Sequence, residues 1–157
     1  MQLVAGESTE AVIDDQCRAA ISAMATHHIA AAEPYAAKLR DQGYRSVHCL
    51  GAPGLARLKP PVTDRLGPNL LVQFHPETRR LKDIPRQVEE LRESLHEIDA
   101  VIIATQPGMD VGREYILKGL DFWMEGDYDD DEFMDLLACA DVLLGNSSCG
   151  IIETPSI

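Results

Sequence analysis

The run Gly145-Asn146-Ser147-Ser148, with Gly150 and Glu153 just behind it, gathers hydroxyls, an amide and glycines where an apolar stretch gives way to a new helix start. Hydroxyls beside free backbone N–H groups at the positive end of a helix suit a phosphate. The same residues suit a helix cap, with Asn146 or Ser147 accepting from the backbone, and spacing alone leaves both readings open. Glu153 falls about a turn and a half into that helix. It faces a ligand if the helix is short and solvent otherwise. Cys149 reads as a small buried filler rather than a reactive thiol.

Other residues add to this set. His75 ends the apolar run 69–74, where an imidazole can donate to a phosphate or act as acid or base near neutral pH. A purely structural histidine fits that place equally well. The stretch Gln106-Pro107-Gly108-Met109-Asp110 is either a ligand-facing loop or a simple turn with Asp110 as a helix cap. Glu7, Glu10, Asp14 and Asp15 cluster at a loop-to-helix junction, as a catalytic carboxylate set or as a complement to the helix dipole. His27 and His28 lack the i, i+4 spacing of a helical metal pair. The acidic run 127–132 lacks the glycine and terminal glutamate of a calcium loop and reads as a solvated segment. No metal and no cofactor are expected.

The elements that must hold these residues follow from periodicity. Helices are expected over 14–25, with Ile13, Cys17, Ala20, Ile21 and Met24 on one face, and over 33–42, with Pro34 in the first turn and Gly43 as a stop. Further helices are expected over 85–98, 111–120 and 132–140. Strands are expected over 2–5, 28–32, 47–50, 69–74, 100–104 and 142–144. The stretch 55–68, rich in Gly, Pro and charge, reads as a linker. Apolar strands alternating with amphipathic helices predict α/β structure with a parallel sheet covered on both faces. Ligands bind outside the carboxyl ends of such strands, where the loops carrying His75, Asp110 and Asn146 would meet.

Composition bounds the partners. At 157 residues, 45% hydrophobic and 25% charged, the chain can build a real core. A net charge of -12 argues against nucleic acid, although not against a phosphorylated small molecule held by local N–H groups. The four cysteines have no zinc or disulfide-framework spacing, and no basic-then-apolar leader precedes them. With apolar runs too short for a bilayer, a cytoplasmic protein without a membrane partner is expected.

Four segments together resemble the hydrolysing UDP-N-acetylglucosamine 2-epimerases. Residues 138–156, ACADVLLGNSSCGIIETPS, are similar to that family's GNSSxGIIExPS stretch. Residues 6–18, GESTEAVIDDQCR, resemble its GGExTEGxIDxxIRH segment, 70–78, LLVQFHPET, its strand ending in HPxT, and 107–112, PGMDVG, its PNxDAG loop. The four stand in the family's order across nearly the whole chain. Departures fall mostly in the first segment and around it: Gln2, Ala19 and Thr26 replace family histidines, Ala5 a glycine and Ala23 a lysine, while His28 is kept.

The resemblance implies a partly present GT-B-like fold, Rossmann-like parallel sheets in two domains with the nucleotide sugar between them. Residues 1–54 would be the C-terminal part of the first domain, and 69–157 the N-terminal part of the second, nucleotide-binding one. The implied activity is removal of the C2 proton and elimination of UDP from a UDP-acetamido sugar in amino-sugar or sialic-acid-type biosynthesis. Ser147 and Ser148 would contact the diphosphate and Glu153 the ribose, with Asn146, Gly150 and Asp110 beside them. His75 would lie near the phosphates or the sugar, while Glu7 and Asp14 would serve the proton transfer. The alternative is a truncated or degenerate relative that binds a nucleotide sugar without turnover. A UDP-sugar is the expected small-molecule partner, and a homo-oligomer is compatible with the sequence.

Overall fold

The structure is a computed structural model that describes residues 1–8, 13–58 and 69–157. The chain divides into two units, Met1–Arg57 and Leu58–Ile157. Glu10 and most of the expected linker, 59–68, lie outside the described residues; the linker's start, 55–57, closes a short 3-10 helix, Pro53–Arg57.

In the first unit, α1 (Ile13–Met24), β1 (His28–Ala30), α2 (Glu33–Asp41) and β2 (Val47–Cys49) follow one another. The strands pair in parallel, with His28 opposite Val47 and Ala30 opposite Cys49. Small residues let α2 sit close on this ribbon: Ala5, Ala30, Ala36, Leu39 and Val47 form the core, with Tyr44 against it. Pro34 lies in the first turn of α2, and Gly43 just past its end has φ +93°, as the sequence implied.

One expectation fails here. Residues 2–5 do not form a strand but a single parallel bridge from Gln2 to His28. Val4 has φ +53°, a left-handed conformation that ends extended pairing. Helix α1 forms where expected, and its apolar face is left open, with Cys17 and Ala20 exposed and Ile21 and Met24 at 46% and 78% exposure. No element of its own unit covers that face among the described residues.

The second unit holds β3 (Leu70–Gln73), α3 (Ile84–His96), β4 (Ile102–Ala104), α4 (Arg113–Gly119), a 3-10 turn Asp121–Trp123, α5 (Asp130–Cys139), β5 (Val142–Gly145) and α6 (Cys149–Ile152). The sheet has the order β4-β3-β5 and both pairings are parallel. Side chains of central β3 alternate, so it is buried from both sides. Leu70 and Val72 pack with Ala104 under Ile84, Val88, Leu95, Ile116, Leu120 and Trp123. Leu71 packs on the other face with Ile103, Met134 and Leu137. Each fully buried leucine or isoleucine there is worth about 1.5–3 kcal/mol.

Strand β5 lies at the sheet edge. Leu143 joins the α5 side, whereas Val142 and Leu144 stay exposed because the helices of the opposite face cover β3 and β4. The acidic run is a second correction. Asp129 caps α5: its carboxylate accepts from the N–H groups of Asp131 and Glu132, and Glu132 accepts from the N–H of Asp129. The run is therefore a helix start rather than only a solvated segment. No helix among the described residues is long and apolar enough to cross a membrane, and none of their His, Cys, Asp and Glu groups is arranged to hold a metal ion.

Candidate functional site

Parallel register brings the ends of three strands to one edge of the second unit. Val72 stands opposite Ala104, and Gln73 opposite Gly145. The loops that leave there are Phe74-His75-Pro76, Thr105–Asp110 and Asn146-Ser147-Ser148.

Gly145 fixes how closely two of them approach. Its φ is +152°, and a Cβ built on it would lie 1.9 Å from the carbonyl oxygen of Gln73. Only glycine lets β5 come this near to β3 before turning. The next residue then locks the turn. The Asn146 side-chain amide donates to the carbonyl of His75 at 2.9 Å, and its oxygen accepts from the His75 N–H at 2.7 Å. This pairing copies a step of strand hydrogen bonding beyond the last strand residue.

His75 also reaches the third loop. The Gly108 N–H donates to Nδ1 of its ring at 3.3 Å. Burial holds His75 below the usual histidine range, a shift that the nearby Asp110 carboxylate partly opposes. The same loop is braced by Arg113, which donates to the Gln106 side-chain oxygen at 3.3 Å and contacts the Met109 sulfur. Asp110 is not the cap of α4. That position belongs to Gly112, with φ +95°, and the Asp110 carbonyl accepts from the Arg113 N–H at 3.2 Å.

Helix α6 is four residues long and begins after Ser148. Ser147 accepts from the Cys149 N–H at 3.3 Å, whereas Ser148 makes no capping bond and is exposed. The capping role thus falls to Ser147, leaving the Ser148 hydroxyl facing solvent at the strand edge. Gly150 leaves its side-chain position within ordinary contact of Leu143, 3.6 Å away. Glu153, at the C-terminal end of α6, is half-buried rather than exposed. Cys149 is buried, its thiol 2.6 Å from the side-chain oxygen of Gln73, and burial pushes that thiol up in pKa.

In the first unit, Gly6 has φ +87°, and a Cβ there would meet the Tyr35 carbonyl oxygen at 2.6 Å. This close approach places Glu7 on a cavity of about 220 Å³ lined also by Ser8, Asp15, Arg18 and Lys38. Lys38 donates to Ser8 at 3.2 Å, and Arg18 pairs with Asp15 at 3.0 Å. Asp14 is exposed in the first turn of α1 and does not line the cavity; its neighbour Asp15 does. Gln2 is buried, accepting from Ser22 at 2.8 Å and standing 3.2 Å from Nδ1 of His28.

The family model for UDP-N-acetylglucosamine 2-epimerase matches residues 3–157. The chain belongs to that family. It is 29% identical to the UDP-N,N'-diacetylbacillosamine 2-epimerase (hydrolyzing) of Legionella pneumophila, over 96% of this chain and 46% of that protein. It is 26% identical to a polysialic acid biosynthesis protein of Escherichia coli, over 97% of this chain and 44% of that one. The solved structure of UDP-N-acetylglucosamine 2-epimerase from Rickettsia bellii matches with a TM-score of 0.56 at 16% identity, over 94% of this chain and 44% of that chain. That likeness shows the shared fold, parallel α/β of the GT-B-like kind. The chain spans about half the length of the relatives it matches.

In this member of the epimerase family the expected site residues fall into two sets. His75, Asp110, Asn146, Ser147, Ser148, Gly150 and Glu153 belong to the second unit, and Glu7 and Asp14 to the first. Sequence reasoning missed Gln73, Gly108 and Arg113, which hold the loops in place. Arg113 braces its own loop, four and seven positions away, whereas Gly108 meets His75 across 33 positions and Gln73 meets Cys149 across 76. No local pattern announces such pairs.

Proposed function

We propose that the second unit carries the nucleotide-diphosphate edge of a hydrolysing UDP-acetamido sugar 2-epimerase. In this reading the two units are pieces of the two Rossmann-like domains. The substrate loses its C2 proton to a base, the C1–oxygen bond to UDP breaks, and water completes the release of the 2-epimeric sugar. Ser148 and Ser147 contact the diphosphate, Glu153 the ribose, and Asn146, Gly150 and Asp110 shape the surrounding loops. His75 donates to the leaving phosphate, where stabilising developing negative charge matters most. Glu7 and Asp14 serve the proton transfer. A cytoplasmic setting suits this activity and the free cysteines.

The observation that supports this reading most is the joining of three strand-end loops through His75, which bonds to Asn146 on one side and Gly108 on the other. It lies within a chain whose match to the epimerase family covers residues 3–157. The test is UDP release from UDP-N-acetylglucosamine, with Asp14→Asn and Ser148→Ala as controls. Release that both variants abolish supports the proposal.

A second reading, binding without turnover, is favoured by the first unit. Gln2 stands where the family pattern has a histidine, and it is buried against Ser22 and His28. UDP binding with no UDP release from the sugar nucleotide would select this reading.

A further inference from the structure

The ring of His75 is not free to choose its protonation. A neutral imidazole carries one N–H and one lone pair, on opposite nitrogens. The lone pair at Nδ1 is committed to accepting from the Gly108 N–H. The proton of the neutral ring must then sit on Nε2. The ring's backbone is held separately, because both the N–H and the C=O of His75 are bonded to the Asn146 side chain. Three groups from three loops therefore fix this one residue: its own strand end, the Asn146 amide and the Gly108 N–H.

We propose that His75 is locked as the neutral Nε2–H tautomer and serves the site as a hydrogen-bond donor to phosphate, with Gly108 and Asn146 as its positioning residues. A general base needs a free lone pair. His75 has none unless the Gly108 bond breaks, so the C2 proton goes elsewhere. The tautomer stands on geometry alone; the phosphate as target rests on the nucleotide-sugar reading above. Burial and the adjacent Asp110 act in opposite directions on the ring, with burial the larger, which agrees with a neutral state. Gly108 suits its role because the backbone comes close: a Cβ there would stand 3.3 Å from the Asp110 carboxylate and 3.9 Å from the ring nitrogen.

The experiment is long-range proton–nitrogen NMR of the full chain with labelled histidine, the His75 signals assigned by their loss in His75→Asn. The expected pattern at neutral pH is a pyridine-type Nδ1 and a pyrrole-type Nε2. The reverse pattern, or a doubly protonated ring, overturns the lock. A Gly108→Pro chain, which lacks the donor, is expected to show a mixture of tautomers. An unchanged pattern there would remove Gly108 from its role.

UDP is then added. The donor role predicts a shift at Nε2, and about tenfold or greater loss of affinity in His75→Ala. The His75→Gln chain, whose amide keeps a donor near the Nε2 position, should recover most of that loss. Equal loss in His75→Gln and His75→Ala overturns the donor role. No UDP binding at all, with the tautomer as expected, overturns the nucleotide reading and leaves the lock standing.

Discussion

Substituting Gly145 by alanine tests the geometry on which the second unit's site depends. The added methyl would have to move from 1.9 Å to the 3.4 Å of an ordinary contact with the Gln73 carbonyl oxygen, a shift of about 1.5 Å. The obstacle is backbone, and that backbone belongs to β3, whose Leu71 and Val72 are fully buried. The strand cannot give way without disturbing both core faces. A backbone region that is nearly glycine-only costs about 1–3 kcal/mol for another residue, and overpacking adds about 1–3 kcal/mol. Together they predict a loss of about 2–6 kcal/mol, against a total of about 5–15 kcal/mol for a domain. Trp123 is the only tryptophan and is buried in the second unit's core, so its fluorescence reports this unit. Urea unfolding followed at Trp123 should move to a midpoint at least ~1 M lower. Gly126→Ala is the control, because nothing lies within 4 Å of its side-chain position. An unchanged midpoint in Gly145→Ala would refute the close approach of β5 to β3.

Other perturbations have directions set by the same contacts. Asn146→Ala removes both bonds to the His75 backbone; since the site is exposed and water can replace them, the expected cost is about 1–2 kcal/mol by urea unfolding, with a larger effect on UDP affinity. Asp129→Ala removes the cap of α5 and should destabilise the second unit by about 1 kcal/mol, read at Trp123 in the same assay. His28 is 2% exposed, and burial, then the N-terminal charge and His27, lower its pKa below the ordinary 6.5. The folded first unit therefore binds that proton less readily than the unfolded chain does. Its stability should be complete above 6.5 and fall as pH drops from 6.5 towards the lowered folded value. Unfolding followed by the histidine NMR signals at several pH values measures this slope, and His28→Asn should flatten it.

Where a residue's fate depends on its immediate neighbours in the chain, the sequence was legible. The continuous apolar run 69–74 read as a buried strand and forms one over Leu70–Gln73, and Pro34 and Gly43 bracketed α2 as expected. The capping box at Asp129 and Glu132 was also written locally, but the surrounding charge hid it. The N-terminal run 2–5 misled because it looked extended, while Val4 takes a left-handed turn. Helix α1 was legible, although periodicity identifies an apolar stripe without saying what covers it. Long-range pairs were out of reach. Asn146 looked like a helix cap or a ligand, and its actual partner, the His75 backbone, lies 71 positions away. Capping was offered for Asn146 or Ser147, and of the two it is Ser147 that accepts from the Cys149 N–H.

On the function proposed above, the loops at the ends of β3, β4 and β5 hold a nucleotide diphosphate. Titration calorimetry of the full chain with UDP tests it most directly, repeated on a Ser147→Ala, Ser148→Ala double variant whose fold is checked by Trp123 fluorescence. Saturable single-site binding is expected, lost in the double variant while it remains folded. Absence of UDP binding to the unaltered chain, or binding that the folded double variant retains in full, would contradict it.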